Sequence, residues 1–178
     1  VSGLYPKLKT FGYPKVGQRN AICRIGVKRL DANKTVWVKT SDDLRNHYIA
    51  KMQWSEGSGE LIIQQLNRSQ DTNTLFKVNP DNGSVNVILK EHDEAWVYAN
   101  SELYWKENNT IFTWMSDRNG WRHAYLCSSD GKKIKPITPG DFDVIKLLST
   151  PKNDDDYYFI ASPEDPSQRY LYSVNSEG

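Results

Sequence analysis

Long apolar runs are missing from this chain of 178 residues. Stretches such as Leu61-Ile62-Ile63 fall far short of the roughly 20 apolar residues that cross a bilayer as a helix. No signal-peptide pattern opens the chain. The expectation is a soluble segment without membrane contact of its own, any targeting segment lying upstream. Cysteine is scarce: Cys23 and Cys127 sit in separate alternating segments without Cys-x-x-Cys or Cys/His metal spacing, and both are read as buried free thiols. An excess of one charge is lacking too, since acidic and basic residues interleave to a formal net charge of +1. That excludes a phosphate-backbone footprint and makes nucleic acid an unsuitable partner. Four Asn-x-Ser/Thr triplets, at Asn33, Asn67, Asn82 and Asn108, are common by chance in so Asn-rich a chain.

The residues of catalysis are equally hard to find. No Gly-x-Ser-x-Gly pentapeptide is present, and the nearest approach, Gly57-Ser58-Gly59, reads as a flexible hairpin turn. His47, His92 and His123 fall in different segments and form no triad or metal set, so they are assigned surface, turn or packing roles. The acidic run Asp154-Asp155-Asp156 lacks the alternating oxygen ligands of a calcium loop and reads as a solvated hairpin tip. No catalytic residue, metal or cofactor is expected of the segment.

What the chain does have is a repeat of short β-prone runs separated by Asn, Asp, Gly and Pro clusters. Four runs follow one another: Tyr48 to Trp54, Glu60 to Asn67, Thr74 to Asn79 and Ser84 to Lys90. The turn Pro80-Asp81-Asn82-Gly83 joins a fixed φ to a permissive one. The unit recurs as Leu103 to Trp105, Thr110 to Ser116, Trp121 to Ser128 and Lys132 to Ile137. Trp54 and Trp105 take equivalent places, and Asn33, Gly83, Gly131 and Gly178 mark the turn after the third strand at steps of about 50 residues, the period of a four-stranded propeller blade. The predicted fold is therefore all-β: a partial β-propeller of about four antiparallel four-stranded blades. Residues 1–20 form an arm or loop, 21–47 the outer strands of one blade, 48–95 and 96–140 whole blades, and 141–178 most of another. Trp54, Trp96, Trp105, Trp114 and Trp121 are assigned to gaps between sheets. The bare faces of a part-ring predict self-association or cover by further chain.

Several runs resemble one family. Tyr5-Pro6-Lys7 and Tyr13-Pro14-Lys15-Val16-Gly17-Gln18 make a doubled Tyr-Pro-Lys. Downstream stand Tyr48-Ile49-Ala50-Lys51-Met52-Gln53-Trp54-Ser55, Gln65-Leu66-Asn67-Arg68-Ser69-Gln70-Asp71 and Asp93-Glu94-Ala95-Trp96-Val97. Most specific is Ser116-Asp117-Arg118-Asn119-Gly120-Trp121-Arg122-His123-Ala124-Tyr125-Leu126, followed by Ile137-Thr138-Pro139-Gly140-Asp141-Phe142-Asp143-Val144. In order and spacing these resemble the later half of the N-terminal propeller of the dipeptidyl peptidase IV family of serine peptidases. Ala21 departs from it, where the family often has proline.

The resemblance implies a parent enzyme in which an eight-bladed propeller caps an α/β-hydrolase domain and Xaa-Pro or Xaa-Ala dipeptides leave peptide N-termini. The catalytic serine, histidine and aspartate would lie beyond Gly178, and the acidic motif that holds the substrate amine upstream of Val1. It implies a homodimer, the stretch from Leu4 to Tyr13 belonging to a dimerisation arm with Tyr5, Pro6 and Tyr13 as contacts. The loop after the matching Trp-Val supplies a cavity arginine in the family; here Tyr98-Ala99-Asn100-Ser101 replaces it, leaving Trp96 and Tyr98 as candidate cavity-lining residues. Periplasmic, secreted or cell-surface residence is carried over in the same way. The alternative is a non-catalytic propeller that binds protein, because some relatives have lost the nucleophile.

Overall fold

The computed structural model describes residues 4–31, 33–40, 43–55, 57, 59–99, 103–148 and 155–178. Within them the chain forms four antiparallel sheets in sequence order and one 3-10 turn, Glu107–Asn109. The first sheet holds two strands, β1 (Gly26–Lys28) and β2 (Thr35–Trp37). The second is a complete four-stranded meander of β3 (His47–Trp54), β4 (Leu61–Asn67), β5 (Thr72–Val78) and β6 (Val85–His92). The third repeats it with β7 (Trp105–Lys106), β8 (Ile111–Ser116), β9 (His123–Ser128) and β10 (Ile134–Pro136). The fourth has β11 (Val144–Leu147), β12 (Tyr157–Ala161) and β13 (Tyr170–Val174). This is a partial propeller with blades of two, four, four and three strands.

Strand alternation sends successive side chains to opposite faces, and in the second and third sheets each face meets a neighbouring sheet. Leu61 and Ile63 of β4 join Phe76 and Val78 in a core shared with Ile25, Val27 and Val38 near the first sheet. Ile62, between them, turns the other way, with Leu75, Ile88 and Leu89, onto Phe112, Trp114, Tyr125 and Cys127 of the third sheet. The apolar run Leu61-Ile62-Ile63 therefore needs no polar interruption: its middle residue belongs to a different interface from its flanks. Across the third sheet, Ala124 and Ile137 meet Val144, Tyr157, Phe159 and Ala161 of the fourth.

The 50-residue step of glycines has a physical cause. Gly83 and Gly131 close the turns after β5 and β9 with φ of +73° and +75°. A Cβ on Gly83 would lie 2.2 Å from the Trp37 carbonyl oxygen of β2, and one on Gly131 would lie 2.7 Å from the Ile88 carbonyl oxygen of β6. Each turn thus docks on the outer strand of the preceding blade. Lys39 N–H donates to the Gly83 carbonyl oxygen at 2.9 Å and ties one such pair. Glycine meets two demands there, the left-handed φ and the absent side chain.

Three assignments differ from expectation. Cys23 is exposed, because it precedes β1 in a stretch without strand pairing, whereas Cys127 on β9 is buried and its thiol is pushed up to about 12 by that burial. Of the five tryptophans assigned to gaps between sheets, Trp114 is fully buried and Trp105 packs partly against the same core. Trp54, Trp96 and Trp121 stand largely exposed, as they sit at strand ends, in a connector and in a hairpin. His47 is buried rather than at the surface, while His92 is exposed. His123 is buried as a structural residue: Nε2 is 3.0 Å from the Gly140 carbonyl oxygen and Nδ1 is 3.3 Å from Thr138 Oγ1.

Candidate functional site

A pocket rich in ionisable and aromatic groups lies where the connector between β6 and β7 meets the hairpin between β8 and β9. The connector is pinned from both sides. Asp93 Oδ1 accepts hydrogen bonds from the Ala95 and Trp96 backbone N–H groups at 2.7 and 3.2 Å, and these bonds lower its pKa. Val97 donates its N–H to the Gln70 carbonyl oxygen at 2.9 Å and buries its side chain. Residues two apart in an extended segment share a side, so fixing Val97 inward turns Trp96 and Tyr98 outward together. Their ring centres lie 4.4 Å apart at an interplanar angle of 50°.

The opposite wall is the hairpin from Ser116 to Arg122, turned at Gly120 with φ of +90° and closed by Gly120 N–H to the Asp117 carbonyl oxygen at 2.9 Å. Glu91 on β6 clamps it to the preceding blade. Glu91 Oε2 accepts Trp114 Nε1 at 2.8 Å and Arg118 Nη2 at 2.7 Å, while Oε1 accepts Ser116 Oγ at 2.8 Å. Glu91 and Arg118 are mostly removed from water, where charge-assisted bonds are strongest and an orphaned partner costs on the order of 3 kcal/mol. The carboxylate that pairs with Arg118 thus comes from the neighbouring blade.

Asp117 shifts the other way from Asp93. Burial pushes its carboxyl up from the ordinary range; Arg122 pulls it back, and Asp143, Glu91 and Asp93 push further. The pocket opens to solvent and has a cavity volume of about 40 Å³. Since one water needs roughly 10–15 Å³ measured this way, there is room for a carboxylate-sized group rather than a whole dipeptide. The arrangement can hold the polar end of a ligand beside an aromatic platform.

Of the residues expected at a cavity, Trp96 and Tyr98 are thus brought together and both remain about half exposed. Asn100 and Ser101 of the same loop lie outside the described residues. Glu91, Asp117 and Arg122 were not singled out as site residues; Arg122 stood in the strand expected from Trp121 to Ser128, Asp117 just before Gly120, and Glu91 reaches them only through blade packing. The arm residues Tyr5 and Tyr13 do not line this pocket and are largely exposed, without strand or helix around them. The arm and the start of the first sheet together carry charge of one sign, against the reading of interleaved charge along the whole chain. Residues 1–30 carry seven Lys and Arg and no acidic residue, leaving 16 basic against 22 acidic in the remainder, a net −6. Asp154 lies outside the described residues, Asp155 accepts Ser176 Oγ at 2.8 Å, and no group of three metal-ligating residues occurs among the described ones.

Comparison with known proteins places the chain in a family. Residues 2–178 match the family described as the dipeptidyl peptidase IV (DPP IV) N-terminal region. The chain is 24% identical over 191 residues to inactive dipeptidyl peptidase 10 of Mus musculus, covering 100% of the chain and 24% of the relative. It is 25% identical over 185 residues to dipeptidyl peptidase 4 of Arthroderma otae, covering 98% of the chain and 23% of the relative. The crystal structure of Porphyromonas gingivalis dipeptidyl peptidase 4 superposes with a TM-score of 0.87 at 25% identity, over 99% of this chain and 25% of that one. The chain spans about a quarter of the length of these relatives.

Proposed function

The chain belongs to the family of dipeptidyl peptidase IV N-terminal regions, and from that premise we propose that it is the substrate-gating and dimerisation-assisting propeller segment of a serine exopeptidase that releases N-terminal Xaa-Pro and Xaa-Ala dipeptides. In this reading a hydrolase domain of the same protein supplies the nucleophile, and this segment supplies part of the wall past which peptide N-termini enter. The observation that carries it is the paired exposure of Trp96 and Tyr98 over a pocket too small for a dipeptide but suited to one end of a peptide. Aromatic faces held by a buried Val97 are a rigid platform for a proline ring or an apolar side chain. The exposed, basic and aromatic stretch from Leu4 to Tyr13 suits a contact with a second copy, whose sequence after residue 30 is net acidic. Residence in the periplasm, outside the cell or at its surface belongs to the same proposal.

The second reading, a non-catalytic propeller that binds protein, is favoured by the similarity to a relative named as an inactive dipeptidyl peptidase. The two separate in one assay: release of Gly-Pro from a chromogenic anilide by the full-length reading frame that contains this segment, beside the segment itself. Release by the full-length chain alone supports the gating role. A folded full-length chain that releases nothing favours the binding role.

A further inference from the structure

Arg118 and Arg122 stand four residues apart on one hairpin and line the same pocket, yet their side chains are committed differently. Arg118 is consumed: Nη2 donates to Glu91 Oε2 at 2.7 Å and Nε to Ser116 Oγ at 3.0 Å. Arg122 is held by its backbone instead. Its N–H donates to Asp143 Oδ1 at 2.8 Å, and its carbonyl oxygen accepts the Val144 N–H at 2.7 Å. These two bonds to the entry of the fourth blade fix where the side chain starts. Its guanidinium carbon lies 5.6 Å from the centre of the Tyr98 ring, and its Nε–H is buried without a hydrogen-bond partner. Among the described residues it makes no salt bridge.

Buried N–H donors almost always find a partner, and a guanidinium fork matches a carboxylate in plane and spacing. Room is present on both sides of the side chain. Arg122 also lines a second cavity of about 290 Å³ with Tyr104, Thr113 and Ile145, so a ligand gripped at Arg122 can extend beyond the small pocket. The surroundings set the charge of that ligand. Glu91, Asp93 and Asp117 line the same pocket and repel a singly charged carboxylate less than a multivalent phosphate, so the ligand is of single charge and planar, held by the Arg122 fork.

We propose that Arg122 is a carboxylate-recognition residue, taking the C-terminal carboxylate of a short peptide whose chain lies against Tyr98. The inference rests on reading Trp96 and Tyr98 as part of a substrate cavity. It makes Arg122 a specificity residue, favouring short peptides with a free terminus, and gives it no part in bond cleavage.

The test is a titration of the ¹⁵N-labelled segment with the tripeptide Ala-Pro-Gly as free acid and as C-terminal amide, following the arginine Nε–H resonances. A saturable shift of the Arg122 signal with the acid, at an affinity about tenfold or more above that of the amide, is expected. Arg122→Lys should retain part of the binding, and Arg122→Met should lose it with the backbone spectrum otherwise unchanged. Equal titration by acid and amide, or undiminished acid binding by Arg122→Met, overturns the proposal. If Arg122→Met does not fold, the comparison of acid with amide on the unaltered segment still decides. Dipeptide release by the full-length chain with no carboxylate titration defeats this inference alone; titration without release defeats the gating reading and leaves Arg122 standing.

Discussion

The interface between the second and third blades and the arm from residue 4 to residue 20 are built from similar side chains, aromatic and basic, with opposite results. At the interface, Trp114 is buried, its indole N–H is bonded to Glu91, and Arg118 is spent on the same carboxylate. In the arm, Leu8, Phe11 and Tyr13 stand in solvent beside Lys7, Lys9 and Lys15. A strand period commits each residue to a face, and a neighbouring blade covers that face. The arm has no period, so its apolar groups have no partner inside the chain. Burial at the interface is a folding contribution, whereas exposure in the arm is available for association.

The largest way to break this contrast is Phe112→Ala, which deletes a fully buried ring where two blades meet. A loss of about 3–5 kcal/mol is expected in urea unfolding of the segment, with the same change at exposed Phe11 of the arm within about 0.5 kcal/mol. Gly83→Ala comes next, because the new methyl meets the Trp37 carbonyl and a left-handed φ together. It should cost about 2 kcal/mol or more, while alanine at Gly12 of the arm, where nothing lies within 4 Å of the added atom, should leave the midpoint unchanged.

A smaller effect divides two aspartates by pH. The Asp117 pKa is raised, so its stabilising influence is present below the ordinary aspartate value near 3.9 and is lost as pH rises through its folded value. Asp117→Asn should therefore raise the melting temperature at neutral pH and lose that advantage in acid. Asp130 is lowered to about 2, chiefly by the Ser128 hydroxyl, then by the Lys132 N–H. Its contribution is present above about 3.9 and is lost as pH falls through about 2. Ser128→Ala should move that loss toward higher pH in acid titrations followed by circular dichroism. Smallest in stability, Tyr5→Ala with Tyr13→Ala should leave melting untouched and weaken self-association in sedimentation, more so at high salt.

Much of the fold was legible because it is local. The strands of the two complete blades and their turns follow from alternation and from Asn, Asp, Gly and Pro chemistry, and the glycine step marked the blade turns before their docking was visible. Edges were less legible: β7 is two residues long, and the strand expected from Trp121 begins at His123, since the hairpin takes Trp121 and Arg122. The site was half legible. Trp96 and Tyr98 stood out in a connector that resembled a known one. Glu91 and Arg122 are 31 positions apart, and no period or motif links them; a blade interface brings them to one pocket. Which tryptophans are covered was hidden for the same reason, because alternation gives a face without saying how far the neighbouring blade extends over it.

The central claim, that the Trp96–Tyr98 platform is a wall of the substrate cavity, is tested most directly by steady-state release of Gly-Pro from the full-length chain carrying Trp96→Ala or Tyr98→Ala. Both side chains are about half exposed, so melting should stay close to that of the unaltered protein while KM rises about tenfold and kcat changes little. An unchanged KM in a folded, active variant would contradict the account.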